Sequence, residues 1–195
     1  MEILGKLFGS ENRVKIMRLF LIGPEITFIK EDVSKRCRVS KESALKELNL
    51  LKKIKFLEDK KIKQEGNKKS VVGLKLNQDF VYIDSIKELL LGSDIAKGDD
   101  LAKKMRGIGK VKLVVTSGIF MDNENSPADL LVVGDSIKRK TLSNIIKTIE
   151  SEIGREIRYS VLDTEDFKYR MTVYDRFVRE IMDLPHNKII DKLYE

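Results

Sequence analysis

The sequence predicts a two-domain α+β protein: three helices and a β-hairpin over residues 1–80, then an α/β unit with a connecting helix over 81–195. Apolar residues recur at helical spacing three times between residues 10 and 54, and two short strand-like runs follow around a Gly-Asn pair. Beyond Gly98, strand and helix patterns alternate, as in an α/β unit with mixed or parallel pairing. Charge divides at the same place. Residues 1–80 hold 19 Lys and Arg against 11 Asp and Glu, a net of +8, whereas the remainder holds 19 against 20, a net of −1. The chain's +7 therefore sits in the first unit, which marks that unit as the polyanion-binding one.

At 195 residues the chain can bury one large core or two small ones, and 42% hydrophobic with 35% charged residues is an ordinary soluble composition. No stretch approaches the roughly 18–20 uninterrupted apolar residues of a membrane span. Met1 to Phe8 is too short and mixed for a signal peptide, so a cytoplasmic location is expected. One cysteine, Cys37, excludes an internal disulfide, and the single distant His186 excludes a Cys/His zinc cluster. No metal and no cofactor are expected.

Ser10 is placed to cap a first helix whose apolar positions Val14, Ile16, Met17, Leu19, Phe20 and Leu21 run to Gly23–Pro24. Ile26–Phe28 reads as a short strand and Lys30–Arg38 as a second helix with Val33 and Cys37 inward. Cys37 is expected to be a small buried hydrophobe. Ser40 is a good N-cap for a third helix from Lys41 to about Ile54. On a wheel of 100° per residue, Ala44, Leu45, Leu48 and Leu51 share the inner side and Glu42, Lys46, Asn49 and Lys53 the outer, with Lys41 and Ser43 in the first turn.

Long donors and a short hydroxyl at the N-terminal end of a helix suit entry into the DNA major groove. Ser40 and the free N–H groups beside it suit a phosphate. Glu42 accepts only from a cytosine amino group, or serves to reject wrong sequences. Phe56–Lys63 and Ser70–Leu76 read as strands joined by Gln64–Lys69, with Gly66–Asn67 as the turn and Lys68 and Lys69 near the tip, facing sugar-phosphate. A solvated basic face is the plainer reading of these lysines, but charge and topology agree on DNA contact. This region resembles the winged-helix transcriptional regulators of bacteria and archaea over about its first 80 residues.

Asp79–Leu91 reads as a connecting helix, with Phe80, Ile83, Ile86, Leu89 and Leu90 at helical spacing. After the break at Gly92, Ser93 and Gly98 come a helix (Asp99–Arg106), a strand (Lys110–Thr116), a loop and a second strand (Ala128–Gly134). A helix (Lys138–Ile153) ending at Gly154, a third strand (Arg155–Leu162) and a long helix (Glu165–Met182) complete the chain. Phe167, Tyr169, Met171, Tyr174, Phe177, Ile181 and Met182 give the last helix an apolar stripe for core or dimer packing.

Val115-Thr-Ser-Gly-Ile-Phe followed by Ser126-Pro-Ala-Asp-Leu-Leu-Val-Val-Gly-Asp135 resembles the minimal nucleotidyltransferase fold across about residues 100–165. That resemblance implies a Gly-Ser pair holding triphosphate, two carboxylates on the following strand for Mg²⁺, and a third from a later strand. Here Pro127 stands at the first acid position and only Asp129 remains. The Gly-Ser order is inverted at Ser117–Gly118, and Arg158 or Tyr159 stands where the third acid is expected. Ser117, Gly118 and Asp129 thus read as a vestigial nucleotide site in a pseudoenzyme. Asp129 as a strand-edge hydrogen bonder, and Asp122, Glu124 and Asp135 as solvated loop acids, are the plain readings. His186 has no evident catalytic partner, and no catalytic residue is assigned.

The expected function is sequence-specific binding of double-stranded DNA by a transcriptional regulator. A homodimer would match a palindromic operator. The second domain would dimerise, bind a protein partner or sense a nucleotide. The alternative implied by the second resemblance is an active Mg-dependent, antitoxin-like nucleotidyltransferase modifying a protein or RNA. A winged helix serving as a protein-interaction module is a third reading, which the +8 charge disfavours.

Overall fold

Helices and strands mix as an α+β fold in the computed structural model of the chain, which describes residues 2–63, 70–91, 98–121, 123 and 125–194. Two compact units divide it, one of Met1–Ile95 with Thr148–Arg155 and the other of Ala96–Lys147 with Glu156–Glu195.

The first unit opens with a helix the sequence did not announce, α1 (Glu2–Phe8), whose Leu4 and Phe8 pack on the core. α2 (Glu11–Ile22) begins as expected, with Ser10 Oγ accepting from the Arg13 N–H at 3.2 Å. Its Val14, Ile16, Met17, Leu19, Phe20 and Leu21 are all buried, so this helix is the centre of the unit rather than a surface element. α3 (Lys30–Cys37) buries Val33 and Cys37. Burial pushes the Cys37 thiol up to about 12, which keeps it a neutral hydrophobe.

α3 stops one residue before Arg38 because the chain turns left-handed there, at φ 52°. The Arg38 N–H donates to Lys35 O at 3.2 Å and the Val39 N–H to Ser34 O at 3.0 Å, the paired bonds of a Schellman stop. Ser40 then caps α4 (Lys41–Lys53), accepting from the Ser43 N–H at 3.2 Å. Ala44, Leu48 and Leu51 of α4 are buried, but Leu45, expected beside them, is 42% exposed. With Ala44 at 0°, Leu48 lies at about 40° and Leu51 at about −20°, so Leu45 at about 100° falls outside the arc and Glu47 at about −60° inside it. Glu47 is buried in its stead, its carboxylate taking the Arg13 Nε–H at 2.8 Å.

β1 (Leu57–Lys63) and β2 (Ser70–Leu76) pair antiparallel, with Leu57 opposite Leu76 and Lys63 opposite Ser70. Phe28 exchanges two backbone bonds with Leu74, which is the short strand expected at Ile26–Phe28 reduced to a single bridge. Gly73 permits that approach, since a Cβ there would lie 2.6 Å from Thr27 Cγ2. α5 (Ile83–Leu91) begins four residues later than expected, because Asn77 Oδ1 captures the Asp79 N–H at 3.1 Å and holds a turn. Leu90 is buried, whereas Leu89 turns outward. Arg18, buried in α2, donates its Nε–H to Leu90 O at 2.9 Å, meeting a carbonyl that the helix end leaves open.

The second unit runs α6 (Gly98–Met105), β3 (Lys110–Thr116), a 3₁₀ turn (Gly118–Met121), β4 (Leu130–Asp135), α7 (Arg139–Ile153), β5 (Tyr159–Leu162), α8 (Thr164–Thr172), α9 (Arg176–Asp183) and β6 (Asn187–Asp191). The sheet order is β5-β4-β3-β6, with β4 and β5 parallel and the other pairs antiparallel. Leu130 to Val133 are buried on both sides of β4, as an unbroken apolar run in a central strand requires. α7 links the parallel pair and stops at Gly154, φ +82°, the left-handed end expected there.

Three expectations are corrected here. β4 begins at Leu130 rather than Ala128 and β5 at Tyr159 rather than Arg155; Ala128 O, the Asp129 carboxylate and the Arg158 N–H are engaged in the side-chain bonds described below. The single helix expected over Glu165–Met182 is two, because Tyr174 turns left-handed at φ 55° and Asp175 caps a new start by accepting from the Val178 N–H at 3.1 Å. Its apolar stripe splits accordingly: Phe167 and Ile181 are buried, while Tyr169, Met171 and Tyr174 face outward. β6, too short to show a period in the sequence, forms by pairing with β3.

Leu48→Ala should cost about 2–5 kcal/mol of stability, whereas Leu45→Ala should stay within about 0.5 kcal/mol. Urea titration of both variants checks which side of α4 faces the core.

Candidate nucleic-acid interface

Packing of α4 on one side determines what it offers on the other. Glu42, Lys46, Asn49 and Lys53 are exposed in a row along the helix opposite Ala44, Leu48 and Leu51, and Lys41 is exposed in the first turn, to one side of that row. Ser43 is half-buried and its Oγ accepts from Asn12 Nδ2 at 2.8 Å, which ties the first turn of α4 to α2. Ser40, exposed, spends an acceptor on the Ser43 N–H, so the end expected to meet a phosphate is already capped. Together the Asn12–Ser43 and Arg13–Glu47 bonds hold the N-terminal half of α4 from beneath, on residues one to two turns apart. Neither bond was legible in the sequence, where Asn12 and Glu47 are ordinary polar residues of two amphipathic helices.

The hairpin carries the second part. Lys60 and Lys61 of β1 are exposed, and their faces alternate along the strand. Lys52 of α4 reaches Asp59 at 2.7 Å, so the strand face bearing Asp59 adjoins the C-terminal turn of α4. Lys68 and Lys69 lie outside the described residues. Lys60 and Lys61 were missed as site residues, although their Lys-Lys pair within a strand period was visible. Arg36 sits over the Phe28 ring at 5.6 Å, a cation–π contact that fixes the exposed side of α3.

The residues read as a vestigial nucleotide site come together in the second unit, but they bond to one another. Asp129 is 1% exposed. Its Oδ1 accepts from the Ile119 N–H at 3.1 Å and Arg158 Nη2 at 2.8 Å. Its Oδ2 accepts from the Arg158 N–H at 2.8 Å and Arg158 Nε at 3.2 Å. Four donors fill the roughly four lone-pair positions of a carboxylate. Burial opposes its ionisation, but the Arg158 and Ile119 bonds outweigh that and hold its carboxyl below the usual range.

Ser117 is fully buried, donating its hydroxyl to Ala128 O at 2.6 Å and accepting from Ser126 Oγ at 3.1 Å. Gly118 stands at φ +56°, where a Cβ would lie 2.1 Å from Asp129 Oδ1, so only glycine fits. The donor set does not suit Mg²⁺: its one carboxylate is saturated by an arginine and two backbone N–H groups. Among the described residues, no three His, Cys, Asp or Glu side chains converge on a possible metal position. Asp122 and Glu124 lie outside the described residues. Asp135 accepts from the Thr164 N–H and hydroxyl, and His186 Nδ1 lies 2.9 Å from Leu184 O.

Among the described residues no helix is long and apolar enough to cross a membrane. Comparison with known proteins returned no matching family model, no matching curated protein and no matching solved structure.

A carboxyl depressed in the folded chain contributes stability above its unfolded value near pH 4, and loses it as pH falls through the folded value. Wild-type stability should therefore decline below about pH 4, while Asp129→Asn should be less stable at pH 7 and show a shallower acid decline. Chemical denaturation at stepped pH reads both slopes.

Proposed function

We propose that the chain is a sequence-specific, double-stranded-DNA-binding transcriptional regulator of the winged-helix kind, working in the cytoplasm as a homodimer. The observation that carries this reading is the outward row of α4, backed by a buried frame and set within residues 1–80, where 19 Lys and Arg stand against 11 Asp and Glu. A rigid helix with exposed Lys46 and Asn49 offers donors to guanine O6/N7 and to the adenine edge. Exposed Lys41 and Lys53, in the first and last turns of α4, offer cations to backbone phosphates.

Glu42 contributes selectivity, since it repels phosphate and, being an acceptor only, favours an amino group such as that of cytosine over the acceptor edges of guanine and thymine. Exposed Lys60 and Lys61, with Lys68 and Lys69 further along the sequence, supply sequence-independent backbone contacts. The second unit is read as a non-catalytic relative of the nucleotidyltransferase fold. That reading is supported by the commitment of Asp129 and Ser117 to internal bonds. Its role is then dimerisation, docking of a protein partner or sensing of a nucleotide.

Selection from a random duplex pool should enrich a two-fold motif bound with a steep salt dependence. Lys46→Ala should lower discrimination between that motif and random duplex by about 1–3 kcal/mol, whereas Lys68→Ala should weaken both alike and reduce the salt slope by about one. Parallel losses for both duplex classes in both variants would overturn this division of roles, and an unenriched pool would overturn sequence specificity.

A further inference from the structure

The α8–α9 elbow combines features that no element of the proposed DNA interface uses. Between the two helices lies a hollow of about 240 Å³, with Met171 and Met182 among its lining residues. That exceeds the roughly 150 Å³ in which an apolar protein cavity can hold a benzene ring. Tyr174 stands at its edge, 75% exposed. The same residue is left-handed at φ 55°, a conformation that strains a non-glycine residue. The turn itself does not require an aromatic residue: a glycine would make it without strain, and Asp175 already caps α9.

The rim decides the occupant. Arg170 pairs with Asp166 at 2.9 Å and lies 3.9 Å from Asp175, while Arg179 pairs with Asp183 at 3.0 Å and sits 5.7 Å over the Tyr174 ring. Around the hollow itself stand two arginines and two aspartates. A rim without net charge has no field for a polyanion, nor for a strongly acidic or basic peptide. It is, however, complementary to its own image, because a two-fold axis can set each arginine against an aspartate of the other copy. An exposed ring beside a ring-sized hollow has the same property: under that axis each becomes knob to the other's hole.

We propose that the α8–α9 elbow is the self-association surface of this protein. Tyr174 of each copy enters the Met171–Met182 hollow of the other, with Arg170 and Arg179 crossing to the opposite aspartates. Tyrosine and arginine are the residues that most often anchor such interfaces. The inference names the surface behind the homodimer of the proposed function, yet it stands on the elbow alone and is tested without DNA.

The test is sedimentation velocity of the full chain over a wide concentration range, for wild type and three variants. Wild type should show a concentration-dependent monomer–dimer equilibrium, and Tyr174→Phe should keep it. Tyr174→Gly removes the ring and the strain together, so it should keep the wild-type circular dichroism spectrum while its dimer dissociation constant rises at least about tenfold. Leu7→Glu, on the exposed side of α1, should leave the dimer intact. A wild type that stays monomeric throughout would overturn the proposal. So would a Tyr174→Gly dimer of wild-type strength, or loss of the dimer in Leu7→Glu alone. DNA affinity enters none of these readings, so failure here leaves the operator selection unaffected, and failure there leaves this proposal standing.

Discussion

Asp129 holds a charge in a place almost without water, and the second unit is arranged around the N–H groups that make this tolerable. A buried carboxylate left short of partners would cost several kcal/mol, so each donor around it becomes a constraint on the chain. The Arg158 backbone N–H is fixed beside β4, which delays the start of β5 to Tyr159. Ile119 must present its N–H as well, which forces the 3₁₀ turn and the left-handed Gly118 before it. Ser117 and Ser126 then close the same corner with hydroxyl bonds to Ala128 O. Ser117, Gly118 and Asp129, to which the sequence resemblance points, are thereby tied into one set of internal bonds and close contacts.

In the first unit the corresponding constraint is α2. Its buried apolar residues leave it little contact with water, so the polar side chains it does carry are used to position neighbours. Asn12 and Arg13 bind α4, and Arg18 binds the end of α5. α4 is held by polar bonds at defined angles as well as by apolar contact, which is non-directional. Directional support of this kind is what a helix needs if its outward side chains are to meet base edges in one register.

The two proposed surfaces have opposite electrostatic character. α4 and the hairpin carry an excess of one sign, suited to long-range attraction of a polyanion. The elbow balances arginine against aspartate around a hollow lined in part by methionine, suited to short-range contact with a partner of the same kind. Their chemistry keeps the two tasks apart, since a balanced rim neither competes for phosphate nor repels its own copy.

Sequence alone determined those elements whose signals are local. Ser10 and Ser40 caps, the stop at Gly154, the hairpin strands to the residue in β2, and the exposed row Glu42, Lys46, Asn49 and Lys53 all follow from periodicity and turn chemistry. Tertiary structure decided what depends on a distant partner. Glu47 displaced Leu45 from the core because Arg13 lies across from it, 34 residues away in sequence. β6 exists because β3 offers it an edge, and Asp129 became a structural anchor because Arg158 supplies a guanidinium and a backbone N–H together. Tyr174 broke an apparently continuous helix by adopting a conformation that no tyrosine advertises in sequence. Local propensity is written in neighbouring residues, but the partner of a buried charge or an edge strand is chosen only when the chain closes on itself.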